Sequence, residues 1–199
     1  MITRIANTIS TFFVGRKIIQ AREKEKCRYG LEIMVSTVIG FSVILVAGIL
    51  LGNIEITLLY LFCIVPIRMY TGGYHANTYL VCNMVFAVIF IINVFLYKAI
   101  IIYHVESVLL EITLFSVLPV LKYAPVQNKN KRLTSVQKNK YRKISLILYA
   151  LYYIVSFFMI RKGNECGVLV LLVLDTVSIL MMEVKVNEKI KLSVNETYC

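Results

Sequence analysis

Apolar residues form long runs along the chain, and short polar or charged segments separate these runs. A membrane-spanning helix needs about 20 mainly apolar residues, and about 17 is near the lower limit. The first and third runs reach this length, the second and fifth are marginal, and the fourth is short unless flanking residues join it. The pattern predicts an all-α membrane protein with about six transmembrane helices; four helices plus a re-entrant hairpin is the alternative. The runs cover roughly residues 33–52, 54–70, 79–102, 107–121, 144–160 and 166–184.

A helical period precedes the first run. Between residues 2 and 13 apolar side chains recur every three or four positions, with Arg4 among the polar positions and Arg16 and Lys17 following them. This spacing predicts an amphipathic helix that lies on the membrane surface. Residues 1–28 therefore form an amphipathic and charged N-terminal segment. We expect no signal-peptide cleavage, because no short apolar run in this segment ends in a small-residue cleavage site.

Composition agrees with a membrane protein. Hydrophobic residues make up 59% of the chain and charged residues 17%, whereas a soluble domain carries about a quarter charged residues. The net charge of +11 could indicate nucleic acid, anionic lipid or an acidic partner. The positive charges flank the apolar runs and form no separate domain, so we expect the lipid bilayer and no nucleic acid as a partner.

The distribution of Lys and Arg predicts an orientation. If both termini are cytoplasmic and six helices alternate, 19 of the 22 Lys and Arg residues fall on the cytoplasmic side, as the positive-inside rule requires. The cytoplasmic segments are then residues 1–28, loop 68–78, loop 122–143 and the C-terminal tail. We find no internal repeat, and residues 1–199 are expected to form a single domain.

One stretch departs from the apolar pattern. "RMYTGGYHANTYLVC" runs from Arg68 to Cys82 and contains Gly72, Gly73 and His75. Two adjacent glycines end a helix, and they permit close backbone approach over a substrate; an ordinary turn between two spans would also explain them. On one straight helix the histidine and the cysteine would lie about 10.5 Å apart along the axis. That is too far for the contact of about 3 Å between a nucleophile and its base.

A break in the helix removes this obstacle. If a new helix begins near Asn77 or Thr78, both common N-caps, His75 can fold back over the first turns, where Cys82 lies. A cysteine near a helix N-terminus, beside an imidazole and below Arg68, has its reactive thiolate form favoured. The main-chain N–H groups of that first turn could stabilise an oxyanion. We find no clear third member for a triad, so a Cys–His dyad is the prediction.

These residues closely resemble the AgrB family, the membrane endopeptidases of Gram-positive peptide quorum sensing. The resemblance rests on "RMYTGGYHA" followed by Cys82, on "YAPVQNKNKR", and on the length, the hydropathy and the amphipathic N-terminus. It covers essentially the whole chain and places it in the cell membrane of a Gram-positive bacterium. It implies that His75 and Cys82 are the catalytic pair, and that Arg68 and Gly73 are needed for activity.

The resemblance also implies a substrate. AgrB-like proteins process an AgrD-like propeptide with an amphipathic N-terminal helix, a central segment containing cysteine or serine, and an acidic tail. The family's enzyme removes the tail and closes a thiolactone or lactone ring. An acidic tail would be attracted to the cationic loop 122–143, although topology and lipid attraction alone would also explain its charge. Because family members are dimeric, a homodimer is implied. The predicted substrate-binding residues are Arg68, Gly72, Gly73, Lys129, Lys131 and Arg132.

Other classes of function remain open from the residues alone. The five cysteines are scattered without C-x-x-C spacing, which argues against a disulfide framework and a zinc site; no metal or cofactor is predicted. Asp175, the only aspartate, lies in the middle of the last run, where an ionisable side chain has a functional or packing role. A small transporter or exporter of peptide or lipid is the alternative, and it would tolerate Cys82→Ala. A non-catalytic membrane scaffold would also tolerate the loss of His75.

Overall fold

The computed structural model describes residues 2–72, 78–126 and 133–197, with the backbone alone from 185 onward. Over these residues the secondary structure is helical, with eight α-helices and a short 3-10 turn, Ala21–Glu23, but no strand. The prediction of an all-α protein is confirmed. The helices are α1 Ile2–Gly15, α2 Lys24–Leu50, α3 Ile54–Thr71, α4 Tyr79–Tyr103, α5 Glu106–Phe115, α6 Val117–Tyr123, α7 Ser135–Arg161 and α8 Cys166–Thr197.

Five of the described helices, α2, α3, α4, α7 and α8, are long and apolar enough to cross a membrane. The protein is therefore a multi-pass membrane protein. The fourth predicted run instead forms two helices, α5 and α6, which meet at Ser116. Pro119 in the first turn of α6 explains the break. Its ring would clash with the carbonyl of Phe115 in a continuous helix, and it has no N–H to donate.

The six apolar runs pass alternately between the two ends of the bundle. α5 begins shortly after α4 ends, and beyond α6 the Val126 N–H donates to the Thr71 carbonyl at 2.8 Å. The pair α5–α6 therefore leads back to the end where α3 finishes. We call this end, where α3 and α6 finish and α2, α4 and α7 begin, the Thr71 end. Five of the described helices are long and apolar enough to cross a membrane, and the number of spans stays a prediction.

α8 is the central helix of the bundle. In its most apolar stretch 72% of the residues are buried, against at most 33% in each of the other four long apolar helices. It packs against α3, α4, α5, α6 and α7. Gly167 allows close contact with α7, since a Cβ there would overlap the Ser156 carbonyl oxygen. The other helices mostly turn their apolar side chains outward, as lipid-facing helices do.

A polar cluster lies in the interior around Asp175. Its carboxyl oxygens accept hydrogen bonds from Thr113 Oγ1 at 3.0 Å and from Ser116 Oγ at 2.5 Å. The hydroxyl of Tyr149 lies 2.6 Å from Ser116 Oγ. Asp175 thus has hydrogen-bonding partners where α5 meets α6, and the cluster ties this break to α7 and α8.

α1 is the amphipathic helix predicted for the N-terminus. It packs against α2 and buries Ala6 and Ser10. On its outer side Phe12 remains 54% exposed and Ile5 39% exposed. Exposed apolar side chains of this kind are what a helix at a membrane surface presents to lipid.

Candidate active site

Cys82 lies in the first turn of α4. Thr78 caps this helix, because its hydroxyl accepts a hydrogen bond from the Val81 N–H. The first regular helical bond, at 3.1 Å, then runs from the Cys82 N–H to the Thr78 carbonyl. The prediction that a helix begins near Asn77 or Thr78 is confirmed at Thr78. The thiol is half-buried and lies beside the positive end of the helix dipole.

Gly72 ends α3 in a conformation that requires glycine. Its φ is 71° and its ψ is −155°, a region that side chains other than glycine adopt only with strain. A Cβ at this position would also overlap the main-chain oxygen of Val126. The chain after α6 therefore lies directly against the end of α3, and the loops predicted at 68–78 and 122–143 are joined at this point.

Arg68 belongs to the last turn of α3, since the helix continues through Thr71. Its guanidinium lies over the ring of Phe86, 4.5 Å from the ring centroid. It also interacts electrostatically with Cys82. Because Phe86 lies one turn below Cys82 on α4, the arginine points into the bundle beneath the thiol.

The remaining predicted site residues lie outside the described part of the chain. His75 and Gly73 belong to residues 73–77, between the end of α3 and the cap of α4. Lys129, Lys131 and Arg132 belong to residues 127–132. Their predicted roles stay predictions. Chain connectivity places His75 three residues from Gly72 and three from Thr78, which flank the candidate site.

The described parts of the basic loop pack at the Thr71 end. Arg142, near the start of α7, donates to the Leu121 carbonyl at 2.7 Å. The rings of Tyr70 and Tyr141 meet edge to face, with centroids 5.6 Å apart. Both flanks of the loop are thus fixed next to the end of α3.

Two contacts that the sequence pattern did not reveal hold α4 against α2. The Tyr79 hydroxyl donates to Glu32 Oε2 at 2.8 Å. The Asn83 side-chain amide donates to the Ser36 carbonyl at 3.2 Å. Asn83 therefore faces α2. The available signal was the four-residue spacing of Glu32 and Ser36, which places two polar side chains on one face of a mainly apolar helix.

The described cysteines are free thiols: Cys27, Cys63, Cys82 and Cys166. Within residues 2–72, 78–126 and 133–184, no group of three His, Cys, Asp or Glu side chains is placed to hold a metal ion. The chemistry that the described site offers is that of a thiol at a helix N-terminus beside a guanidinium group.

Comparison with known proteins identifies relatives along nearly the whole chain. The model of the family described as Accessory gene regulator B matches residues 2–182. The chain is 27% identical over 173 residues to an AgrB-like protein 2 of Clostridium perfringens (strain 13 / Type A), covering 84% of this chain and 81% of the relative. It is 26% identical, with the same coverage, to an AgrB-like protein of strain SM101 / Type A. No solved structure matches it.

Proposed function

Because the chain belongs to the Accessory gene regulator B family, we propose that it is a cysteine endopeptidase with Cys82 as nucleophile and His75 as base. The family consists of processing proteases and connects the chain with accessory gene regulator quorum sensing. The proposed substrate is an AgrD-like propeptide, from which the enzyme removes the acidic tail. The observation that carries the proposal is the position of the half-buried Cys82 thiol, one turn after the Thr78 cap.

The first step forms an acyl-enzyme. The His75 imidazole takes the proton from the Cys82 thiol, and the thiolate attacks the scissile carbonyl carbon of the propeptide. The N–H groups of Tyr79 and Leu80 precede the first regular bond of α4, so they are candidates to stabilise the oxyanion. The C–N bond then breaks, the imidazolium returns its proton to the nitrogen, and the tail leaves as an amine.

The second step closes the ring. A cysteine or serine within the bound peptide loses its proton to His75 and attacks the thioester carbonyl. Its sulfur or oxygen forms the new bond, the bond to Cys82 breaks, and the proton returns to the Cys82 sulfur. Water would hydrolyse the thioester, so the site must exclude it. Its position between α3 and α4, at the end of apolar helices, favours this exclusion.

The acidic tail is proposed to lie along the basic segment 122–143. The structure shortens the predicted loop to residues 124–134, because residues 135–143 form the first turns of α7. The hydrogen bond from Val126 to Thr71 and the close approach at Gly72 support this proposal. They fix the start of the loop about one helical turn from Arg68. A tail bound there would lie close to the thiol that attacks its junction with the signal segment.

Both termini and the Thr71 end are proposed to face the cytoplasm. The three cations assigned to the outer side, Lys98, Arg161 and Lys162, lie at the ends of α4 and α7, opposite the Thr71 end. The cationic excess of the Thr71 end is what the positive-inside rule predicts. A homodimer, as the family resemblance implies, remains a prediction.

The proposal is tested with purified protein in liposomes and an AgrD-like propeptide. We expect release of the acidic tail and formation of a ring whose mass is one water less than that of the linear product. Cys82→Ala should abolish both products and leave the thermal stability unchanged. His75→Ala should slow them by about 10²-fold or more.

Covalent chemistry is followed by mass spectrometry of the protein. A peptide-sized adduct on Cys82 supports the thioester. In Cys82→Ser the adduct should be absent or should be an ester that hydrolyses slowly. Full ring formation by Cys82→Ala would overturn the proposal and move a transporter of peptide or lipid to first place.

A further inference from the structure

We infer that Glu32 and Tyr79 form a positioning pair that holds the first turn of α4, and with it Cys82, in the reactive geometry. The inference rests on the proposed function, in which Cys82 is the nucleophile. The Tyr79 hydroxyl donates to Glu32 Oε2 at 2.8 Å, and Glu32 is only 9% exposed. The bond joins α2 to the first residue of the helix that carries the thiol.

The register of the two helices makes this bond specific for the site. Tyr79 and Asn83 are one turn apart on α4, and their partners Glu32 and Ser36 are one turn apart on α2. Two contacts at this spacing fix both the height and the rotation of α4. Cys82 lies next to Asn83 and three residues after Tyr79, so its Sγ moves with that turn.

Close packing one turn further along α2 supports the same register. A Cβ on Gly40 would lie 3.0 Å from Asn83 Oδ1, so the helices approach closely at this level. At the first residue of α4 the long Glu32 and Tyr79 side chains make the connection to α2.

The start of α4 needs such a connection. A helix N-terminus has few intrahelical hydrogen bonds and opens more readily than the helix interior. A nucleophile, in contrast, must be held within about 0.5 Å of its working position. A bond to a carboxylate is stronger than one between neutral groups, so it is suited to holding this end.

The experiment compares Glu32→Ala, Tyr79→Phe, the double variant and Glu32→Gln in liposomes, with an AgrD-like propeptide as substrate. We expect each single loss to lower kcat by about tenfold or more, with KM nearly unchanged. The double variant should be no slower than the slower single variant. Glu32→Gln keeps an acceptor for the Tyr79 hydroxyl and should restore most of the rate.

Thr176→Val is the matched control. The Thr176 hydroxyl bonds the Asn93 side chain at 3.0 Å, so this variant also removes an interhelical bond from α4, but three turns away from Cys82. Its kcat should stay within about twofold of that of the unchanged protein, because a loss of stability far from Cys82 does not displace the thiol. Alkylation of Cys82 by iodoacetamide, with the other four cysteines replaced by alanine, gives a readout that needs no substrate.

The outcomes separate the two proposals. Tail release by Cys82→Ala would remove the proposed function and this inference with it. If Cys82→Ala is inactive while Glu32→Ala and Tyr79→Phe behave like Thr176→Val, only the positioning role is overturned. If the fold-loss in kcat of the double variant equals the product of the two single losses, Glu32 and Tyr79 do not act through one bond.

Discussion

The hydroxyl of Tyr149 donates a hydrogen bond of 2.6 Å to the main-chain oxygen of Thr113, one turn before the break between α5 and α6. Tyr149 belongs to α7, so a side chain of one helix satisfies the backbone of its neighbour. Since lipid offers no hydrogen bond to an exposed carbonyl, irregular backbone at this depth must be satisfied by protein. Pro119 has no N–H to donate to the Phe115 carbonyl, and one turn earlier Tyr149 supplies a donor to the Thr113 carbonyl.

Tyr149→Phe should therefore lower stability. The variant leaves the Thr113 carbonyl with one donor fewer, at a cost of about 1 kcal/mol in a membrane interior. We expect the midpoint of thermal unfolding in detergent to fall by roughly 2–4 °C. Tyr103→Phe is the control, because Tyr103 is 75% exposed, and it should leave the midpoint unchanged. Equal midpoints for both variants would contradict a structural role for the hydroxyl.

Substitutions of Asp175 should separate hydrogen bonding from charge. Asn keeps an acceptor for one of the two hydroxyls, its NH2 group can donate to the oxygen of the other, and it introduces no charge, so Asp175→Asn should lower stability by less than about 1 kcal/mol. Asp175→Leu removes both acceptors from two buried hydroxyls and should cost about 2 kcal/mol or more. Thermal unfolding and tail release are measured together. A loss of tail release in Asp175→Asn without a loss of stability would instead indicate a direct role in function.

Gly72→Ala should lower stability by more than the strain of a positive φ alone would cost. Gly52 has a φ of 65° with open space around it, whereas a Cβ at Gly72 would also overlap Val126. We expect Gly52→Ala to cost about 1 kcal/mol and Gly72→Ala clearly more, with slower tail release. Thermal unfolding measures the first difference and the propeptide assay the second. If the two variants behave alike, the main chain at Val126 moves to make room for the Cβ without loss of stability or activity.

Arg68→Gln should reduce the reactivity of Cys82. The variant removes the cation that interacts with the sulfur, and we expect the rate of reaction with iodoacetamide to fall about fivefold or more. Arg161→Gln is the matched control, since Arg161 lies over the Phe157 ring at the opposite end of the bundle. It should leave the rate unchanged. A rate that depends on neither arginine would limit Arg68 to binding or packing.

The sequence predicts most of the architecture because lipid requires long apolar helices. The helix boundaries differ from the predicted runs where capping residues or proline determine where a helix begins or ends. α7 begins at Ser135, well before the apolar run at 144, since Thr134 and Gln137 form a capping box. That signal is local and could have been found in the sequence. The division at Ser116 also has a local cause in Pro119.

Only those features of the site that depend on residues close in sequence can be predicted. The Thr78 cap and the position of Cys82 follow from residues close in sequence. The Glu32–Tyr79 bond joins residues 47 positions apart, and no local pattern fixes such a pairing. A stripe of buried residues at four-residue spacing, Glu32, Ser36, Gly40, Ile44 and Gly48, marks the face of α2. It could have indicated a packing face, but not which helix packs against it.

The central position of α8 has a consequence for biosynthesis. Of the helices described, it is the last to leave the ribosome, yet five others pack against it. α2 to α7 therefore enter the membrane before their shared partner exists. During that interval the hydroxyls of Thr113, Ser116 and Tyr149 face one another without Asp175. Between the insertion of α7 and the arrival of α8 the nascent protein therefore lacks the partner on which its bundle packs, and incompletely packed intermediates of this kind are prone to misfolding.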